Sequence, residues 1–161
     1  MIWENLKKDL ILTDLDAKTP DDVFDKMGGL LTEKGYTKAT YVQALKDRER
    51  DYPTGLNIEG IGVAIPHTPV EHVNKAATCI AVLKNPVTFI EMGMDDEVPV
   101  KLVFMLAVVD PNAHIDDLTQ IVAIIQDKNV MDALTSSQNT EEMIDIIRQK
   151  ENDLAAEKAS A

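Results

Sequence analysis

Three apolar runs in the middle of the chain constrain its fold more than any other feature. They are rich in β-branched residues and separated by turn residues: IGVAI (61–65), ATCIAVLK (77–84) and VPVKLVFMLAVV (98–109). Short apolar runs bounded by turn residues are typical of strands buried on both faces of a sheet. Such a sheet needs helices on each face, so the fold depends on what lies before and after these runs.

Helical patterns lie on both sides of the three runs. A first short strand is predicted at 10–16, and Thr19-Pro20 fits an N-cap followed by proline at the first helical position. After the strands, apolar residues recur at helical spacing from Ile115 to Ile125. The predicted helices are 20–34, 40–50, 110–126, 129–137 and 139–154. The fold class is therefore α/β, a three-layer sandwich in a single domain, 1–150, with a frayed C-terminal tail at 151–161.

Charge and composition exclude several classes of partner. The 161 residues carry a formal net charge of −12, from 28 acidic and 16 basic side chains. Such a surface repels phosphate backbones and anionic lipids, so we expect neither nucleic-acid binding nor membrane insertion. The single cysteine cannot form an internal disulfide, and the charged N-terminal stretch does not resemble a signal peptide. We expect a cytoplasmic protein.

The stretch GVAIPH (62–67) ends a buried strand on His67, which has no packing reason to be there. Pro66 ends the ladder and restricts the direction of the next residue. A largely neutral imidazole near pH 7 can act as a nucleophile, a proton carrier or a metal ligand. A histidine that only makes a hydrogen bond at the strand end is the alternative.

The chain has two other histidines, His114 and His72, that could contribute to a site. His114 lies in the predicted first turn of the 110–126 helix, where a ring N–H and free backbone N–H groups can bind an anion together. A simple capping contact is the alternative for His114. His72, in the loop after His67, is expected to be solvated, and its contribution is left open.

Other chemistries find little support in the sequence. His67 and His72 are five residues apart across a proline-containing loop, and no Cys or Glu pair completes a zinc-type ligand set, so we expect no metal and no other cofactor. Cys79 lies within a predicted buried strand, where it is expected to act as a small apolar residue. No P-loop or dinucleotide-binding glycine motif is present.

The stretch RERDYPTGLNIEGIGVAIPH (48–67), followed later by HIDDLTQI (114–121), resembles the enzyme IIA components of the bacterial sugar phosphotransferase system. The resemblance is to the fructose–mannitol superfamily and to its galactitol-like branch, and it covers nearly the whole chain. It also extends through KAATCIAVLKNPVTF (75–89), where it implies strand, turn and strand. Thr68 departs from the Gly or Ala that usually follows the Pro-His pair. The implied fold is the mannitol-type α/β/α sandwich around a mixed β-sheet.

The resemblance implies a phosphocarrier enzyme with a phosphohistidine intermediate. His67 matches the phosphoryl acceptor, with Nε2 as the expected nucleophile, and His114 matches the neighbouring helical histidine. Arg48 matches the arginine closing the second helix, and Thr54 the threonine of the Pro-Thr turn. A solvated charge near a helix end is the alternative for Arg48.

The implied donor is the carrier HPr, and the implied acceptor is a cysteine of the IIB component. IIB in turn serves the membrane component IIC in uptake of a polyol, with galactitol as the expected one. A regulatory module of the same fold, which reports its phosphorylation state to another protein, is the alternative. A metal- or ligand-binding domain without phosphoryl transfer is a third hypothesis.

Overall fold

Five strands form one mixed sheet in the order β1-β4-β5-β3-β2 in the computed structural model. The described residues are 1–160, with His114 described by its backbone alone. The strands are β1 Ile11–Leu15, β2 Gly55–Ile58, β3 Ile61–Ala64, β4 Ala77–Ile90 and β5 Glu97–Ala107. The β1–β4 and β3–β5 pairs are parallel, whereas β4–β5 and β2–β3 are antiparallel.

Helices cover both faces of this sheet. The first layer is α1 Pro20–Val23, a π-helical turn Phe24–Gly28, α2 Gly29–Glu33 and α3 Tyr41–Asp51. The second layer is α4 Pro111–Ile125, α5 Lys128–Ser136 and α6 Thr140–Ser160. The predicted three-layer α/β/α sandwich around a mixed sheet is confirmed. Thr19 is the predicted N-cap, and its side chain accepts a hydrogen bond from the Asp22 N–H.

Strand periodicity divides the core into two clusters. On β4, Cys79, Ala81 and Leu83 face the α1–α3 layer, while Ile80 and Val82 face the α4–α6 layer. Successive side chains of a strand point to opposite faces, which is why an uninterrupted apolar run suits a strand covered on both sides.

Gly28 brings α3 close to the preceding helical segment. A Cβ at this position would lie 3.0 Å from Cγ2 of Val42 and 3.1 Å from a Cδ of Leu45, both on α3. The glycine, unfavourable for helix propensity alone, thus permits the tight packing that positions α3.

Strand β2 and its hairpin were missed by the sequence analysis, which predicted no strand between residues 16 and 61. Glu59 and Gly60 connect β2 to β3 with φ angles of 50° and 91°, as a type I′ two-residue turn requires. The predicted turn inside 75–89 is also wrong, because β4 continues through Asn85 and Pro86 at a register irregularity between Val82 and Val87. A proline is tolerated there because the ladder is interrupted.

The predicted frayed tail at 151–161 differs from the structure, in which α6 continues to Ser160. Glu151 is fully buried and accepts hydrogen bonds from the N–H groups of Ile2 and Trp3 at 2.9 and 2.8 Å. It also accepts one from the Gln120 side chain at 2.8 Å. These bonds tie α6 beyond residue 150 to the N-terminal segment and to α4. Ala161 lies outside the described residues.

Candidate active site

His67 lies where β3 ends, beside the end of β5. Strand β3 stops at Ala64, and the Leu106 N–H of β5 donates a hydrogen bond of 3.0 Å to the Pro66 carbonyl. Because β3 and β5 are parallel, their carboxyl ends lie at the same edge of the sheet. The chain between Ala64 and His67 is therefore held against the end of β5.

The two ring nitrogens of His67 have different partners. Nδ1 is 2.9 Å from the Ile65 carbonyl oxygen, and Nε2 is 3.1 Å from Nη2 of Arg48. A carbonyl only accepts and a guanidinium only donates, so the ring is assigned as the neutral tautomer with the proton on Nδ1. Nε2 consequently carries the lone pair. His67 is only 7% exposed, and the Arg48 guanidinium lies against its Nε2.

Arg48 reaches His67 from the last turn of α3. Its guanidinium lies 5.2 Å from the centre of the Tyr52 ring, which is a cation–π distance. The buried Nε–H of Arg48 has no hydrogen-bond partner among the described residues. Nε and Nη2 share one edge of the guanidinium, so this edge keeps one unused donor beside the donor that contacts His67.

Thr54 braces the turn that leads into β2. Its hydroxyl donates to Oε2 of Glu49 at 2.8 Å, and its backbone N–H donates to Oε1 of the same carboxyl at 3.0 Å. The Thr54 carbonyl accepts a hydrogen bond from the Ile65 N–H at 3.3 Å. Burial raises the pKa of the Glu49 carboxyl, and the hydrogen bonds from Thr54 and the charge of Arg48 oppose that rise.

The structure brings Arg48 to His67 and places Thr54 one hydrogen bond from Ile65. His114 lies in the first turn of α4, whose N-cap Asp110 accepts from the Asn112 N–H at 2.9 Å. Helix α4 starts four residues after β5 ends, at the sheet edge that holds His67. The predicted contribution of the His114 side chain lies outside the described residues.

His72 lies apart from this pair of residues, in a short 3-10 turn. Its Nδ1 is 2.8 Å from the Thr40 hydroxyl, and its carbonyl accepts from the Lys38 N–H. His72 lines an open cavity of about 610 Å³ together with Thr40, Arg48, Tyr52 and Pro69. The cavity therefore opens beside the guanidinium of Arg48.

Two residues of the site were not assigned by the sequence analysis. Glu49 and Tyr52 were included there only as members of the stretch 48–67. Tyr52 follows Arg48 by four residues, the spacing that places two side chains on one helical face, and its N–H still bonds to the Arg48 carbonyl as in a helix although α3 ends at Asp51, so a signal for it was present. Glu49 offered no such signal, because its partner Thr54 lies beyond the helix end.

No group of three or more His, Cys, Asp or Glu side chains suited to a metal ion occurs within the described part of the chain. In the same part, every helix is too short or too polar to cross a membrane.

Comparison with known proteins shows the family to which this site belongs. Residues 4–150 match the family model described as "Phosphoenolpyruvate-dependent sugar phosphotransferase system, EIIA 2". The galactitol-specific EIIA component of Escherichia coli (strain K12) is 29% identical over 120 residues, which are 74% of this chain and 80% of that protein.

Two solved structures share the fold. The mannitol enzyme IIA in its complex with phosphorylated enzyme IIB from Escherichia coli has a TM-score of 0.75 and 26% identity, covering 89% of this chain and 97% of that one. The nitrogen regulatory protein IIA-Ntr from Neisseria meningitidis has a TM-score of 0.75 and 28% identity, covering 91% and 98%. One of the two solved relatives is named for a sugar alcohol and the other for nitrogen regulation.

Proposed function

This chain belongs to the EIIA 2 family of the phosphoenolpyruvate-dependent sugar phosphotransferase system, and we propose that His67 is its phosphoryl acceptor. It is a phosphotransferase that passes phosphate through a histidine. The observation that carries the proposal is the pair of contacts at the His67 ring, Nδ1 at 2.9 Å from the Ile65 carbonyl and Nε2 at 3.1 Å from the Arg48 guanidinium. These partners assign the proton to Nδ1 and the lone pair that attacks to Nε2.

In the first step, the Nε2 lone pair of His67 attacks the phosphorus of a phosphohistidine donor. The donor's P–N bond breaks, its electron pair returns to the donor ring, and a P–Nε2 bond forms. In the second step, an acceptor thiolate attacks the same phosphorus, and Nε2 recovers its lone pair. No proton has to leave His67, because the proton stays on Nδ1, hydrogen-bonded to the Ile65 carbonyl, throughout.

Arg48 has two tasks in this scheme. Its Nη2 group contacts the Nε2 lone pair before transfer, so it must move aside when phosphorus approaches. The Nη2 and Nε groups of the same guanidinium edge can then donate to two oxygens of the phosphoryl group. The Nε–H without a partner among the described residues supports this role, since it is a buried donor that a phosphoryl oxygen can use.

The remaining site residues have supporting parts in the proposal. Thr54 holds the turn through Glu49 and fixes Ile65, which in turn orients the His67 ring. His114 supplies a further donor from the first turn of α4, and its place at the sheet edge that holds His67 supports this assignment.

The proposed partners are HPr as donor and a IIB component as acceptor, which would hand the phosphoryl group to a substrate carried by the membrane component IIC. The mannitol enzyme IIA solved with its phosphorylated IIB supports a IIB partner for this chain. The galactitol-specific relative supports a polyol, with galactitol as the first choice. The acidic surface, with net charge −12, favours encounter with a basic patch on HPr and predicts salt-dependent rates.

A regulatory role is the second candidate, and the likeness to IIA-Ntr favours it. A regulatory module would also accept the phosphoryl group on His67, but it would not pass the group to a IIB cysteine. The two candidates therefore share the first step and differ in the second.

The test is reconstitution with phosphoenolpyruvate, enzyme I and HPr. The wild-type chain should gain one phosphoryl group that is labile in acid and stable in alkali, and H67Q should gain none. H72Q removes a different imidazole and should be labelled like the wild type. An unlabelled wild type with active HPr, or a labelled H67Q, would overturn the proposal.

Purified IIB separates the two candidates. The labelled chain is mixed with the galactitol-type IIB and, in parallel, with the mannitol-type IIB. Transfer to a cysteine of either one supports the transporter role and indicates the substrate. Retention of the label on His67 with both supports the regulatory role.

A further inference from the structure

Few contacts hold the Arg48 guanidinium in place. Its Nη2 donates to His67, while its Nε–H has no partner among the described residues. The neighbouring carboxylates are otherwise engaged, because Glu49 accepts from Thr54 and Asp47 pairs with Arg50. In the described part of the chain, no carboxylate is within ion-pair distance of Arg48.

The contact with the Tyr52 ring is of a different kind. Tyr52 follows α3, and its backbone N–H donates to the Arg48 carbonyl at 2.7 Å, which fixes its backbone relative to that residue. The guanidinium then lies 5.2 Å from the ring centre. A ring face attracts a cation without using any of its N–H donors. Tyr52 thus holds Arg48 while leaving the donating edge available.

We propose that Tyr52 is a positioning residue, whose ring keeps the Arg48 guanidinium at His67 throughout the transfer cycle. This inference rests on the proposed function of His67. When Nε2 becomes bonded to phosphorus, its lone pair is used and the Arg48–His67 hydrogen bond must break. The stack on Tyr52 does not depend on that lone pair, so it persists in both states and limits how far the guanidinium moves.

The substitution Y52L tests the proposal, with Y52F as the conservative partner. Tyr52 is 64% exposed, and both changes keep its backbone hydrogen bond, so the melting temperature should not change. With phospho-HPr as donor, Y52L should lower kcat about 3- to 10-fold and leave KM nearly unchanged. Y52F keeps a ring face and should restore kcat to within about twofold of the wild type.

A double-mutant cycle shows whether the Tyr52 ring acts through Arg48. If Tyr52 acts through Arg48, adding Y52L to R48A should cause no further loss of kcat. The proposal is overturned if Y52L has the wild-type kcat, if it changes KM alone, if Y52F is as slow as Y52L, or if the losses in the double variant multiply. A wild-type chain that cannot be labelled would instead overturn the proposed function, so the two failures are distinguishable.

Discussion

Arg48 and His67 are 19 positions apart in the chain, yet Nη2 of one lies 3.1 Å from Nε2 of the other. The contact joins the end of α3 to the end of β3. It depends on the close packing of α3 permitted by Gly28, and on the hydrogen bond by which Leu106 holds Pro66. The nitrogen that we propose to attack phosphorus therefore faces, before the reaction, the cation proposed to stabilise the product.

Replacing Arg48 by lysine should slow phosphoryl transfer by about 10- to 100-fold, because an ammonium cannot present the two parallel donors of a guanidinium edge. The loss should appear in kcat measured by rapid-quench labelling with phospho-HPr. R50K is the matched control, since Arg50 is exposed and pairs with Asp47. Equal rates for R48K and R50K would contradict the role given to Arg48.

The stability difference between E49Q and the wild type should depend on pH in a defined direction. The folded chain holds the Glu49 pKa above its usual value of 4.5, mainly by burial. As pH rises past 4.5, the unfolded chain ionises first, so the contribution of Glu49 to stability falls until pH exceeds the folded pKa. Glutamine at position 49 does not ionise, so its contribution to stability does not fall in this way with pH.

Urea unfolding of E49Q and the wild type between pH 4 and 7 provides the measurement. The free energy of unfolding of E49Q, relative to the wild type, should rise with pH. E33Q, the same change at an exposed position, controls for the loss of one charge. A relative stability of E49Q that falls over this range would show that the carboxylate is stabilised rather than desolvated.

The buried hydroxyl of Tyr41 should contribute to stability but not to chemistry. It donates a hydrogen bond of 2.7 Å to the carbonyl of Leu106, the residue whose N–H donates to the Pro66 carbonyl. Y41F leaves that buried carbonyl without this donor and should lower the free energy of unfolding by about 1–2 kcal/mol. Labelling at saturating phospho-HPr should remain within about twofold of wild type. Unchanged stability would mean that the Leu106 carbonyl finds another donor.

Much of the fold follows from the spacing of apolar residues along the chain and from the residues that cap helices. The three central runs predicted strands because apolar residues continued on both faces, and Thr19 predicted a helix start because its hydroxyl can cap. The hairpin of β2 was missed because the turn needs a positive φ at Glu59, a residue that seldom adopts it. The end of α6 was missed because the anchor of Glu151 is the N-terminal backbone, more than 140 residues away.

The site, too, has features that the sequence predicts and features that it does not. His67 could be found from a strand that ends on Pro-His, and Arg48 from the resemblance. Other features depend on distances between elements, which no local pattern encodes. They are the tautomer of His67, the contact of Arg48 with Nε2 and the hydrogen bonds from Thr54 to Glu49.

Cys79 should be unreactive in the folded chain. It is buried in β4, and burial raises the pKa of its thiol to about 12, so almost no thiolate exists near pH 7. A thiol reagent such as iodoacetamide should modify less than a tenth of the native protein in the time needed to modify the denatured protein fully. Rapid native modification would place the thiol at the surface and contradict the packing of β4.

The most direct test of the central claim is nitrogen NMR of the chain labelled with ¹⁵N at histidine, before and after phosphorylation. Before reaction, His67 should show a protonated Nδ1 and an unprotonated Nε2. Afterwards, coupling to phosphorus should appear at Nε2 of His67 and at no other nitrogen. Phosphorus on Nδ1 of His67, or on His72 or His114, would contradict the account.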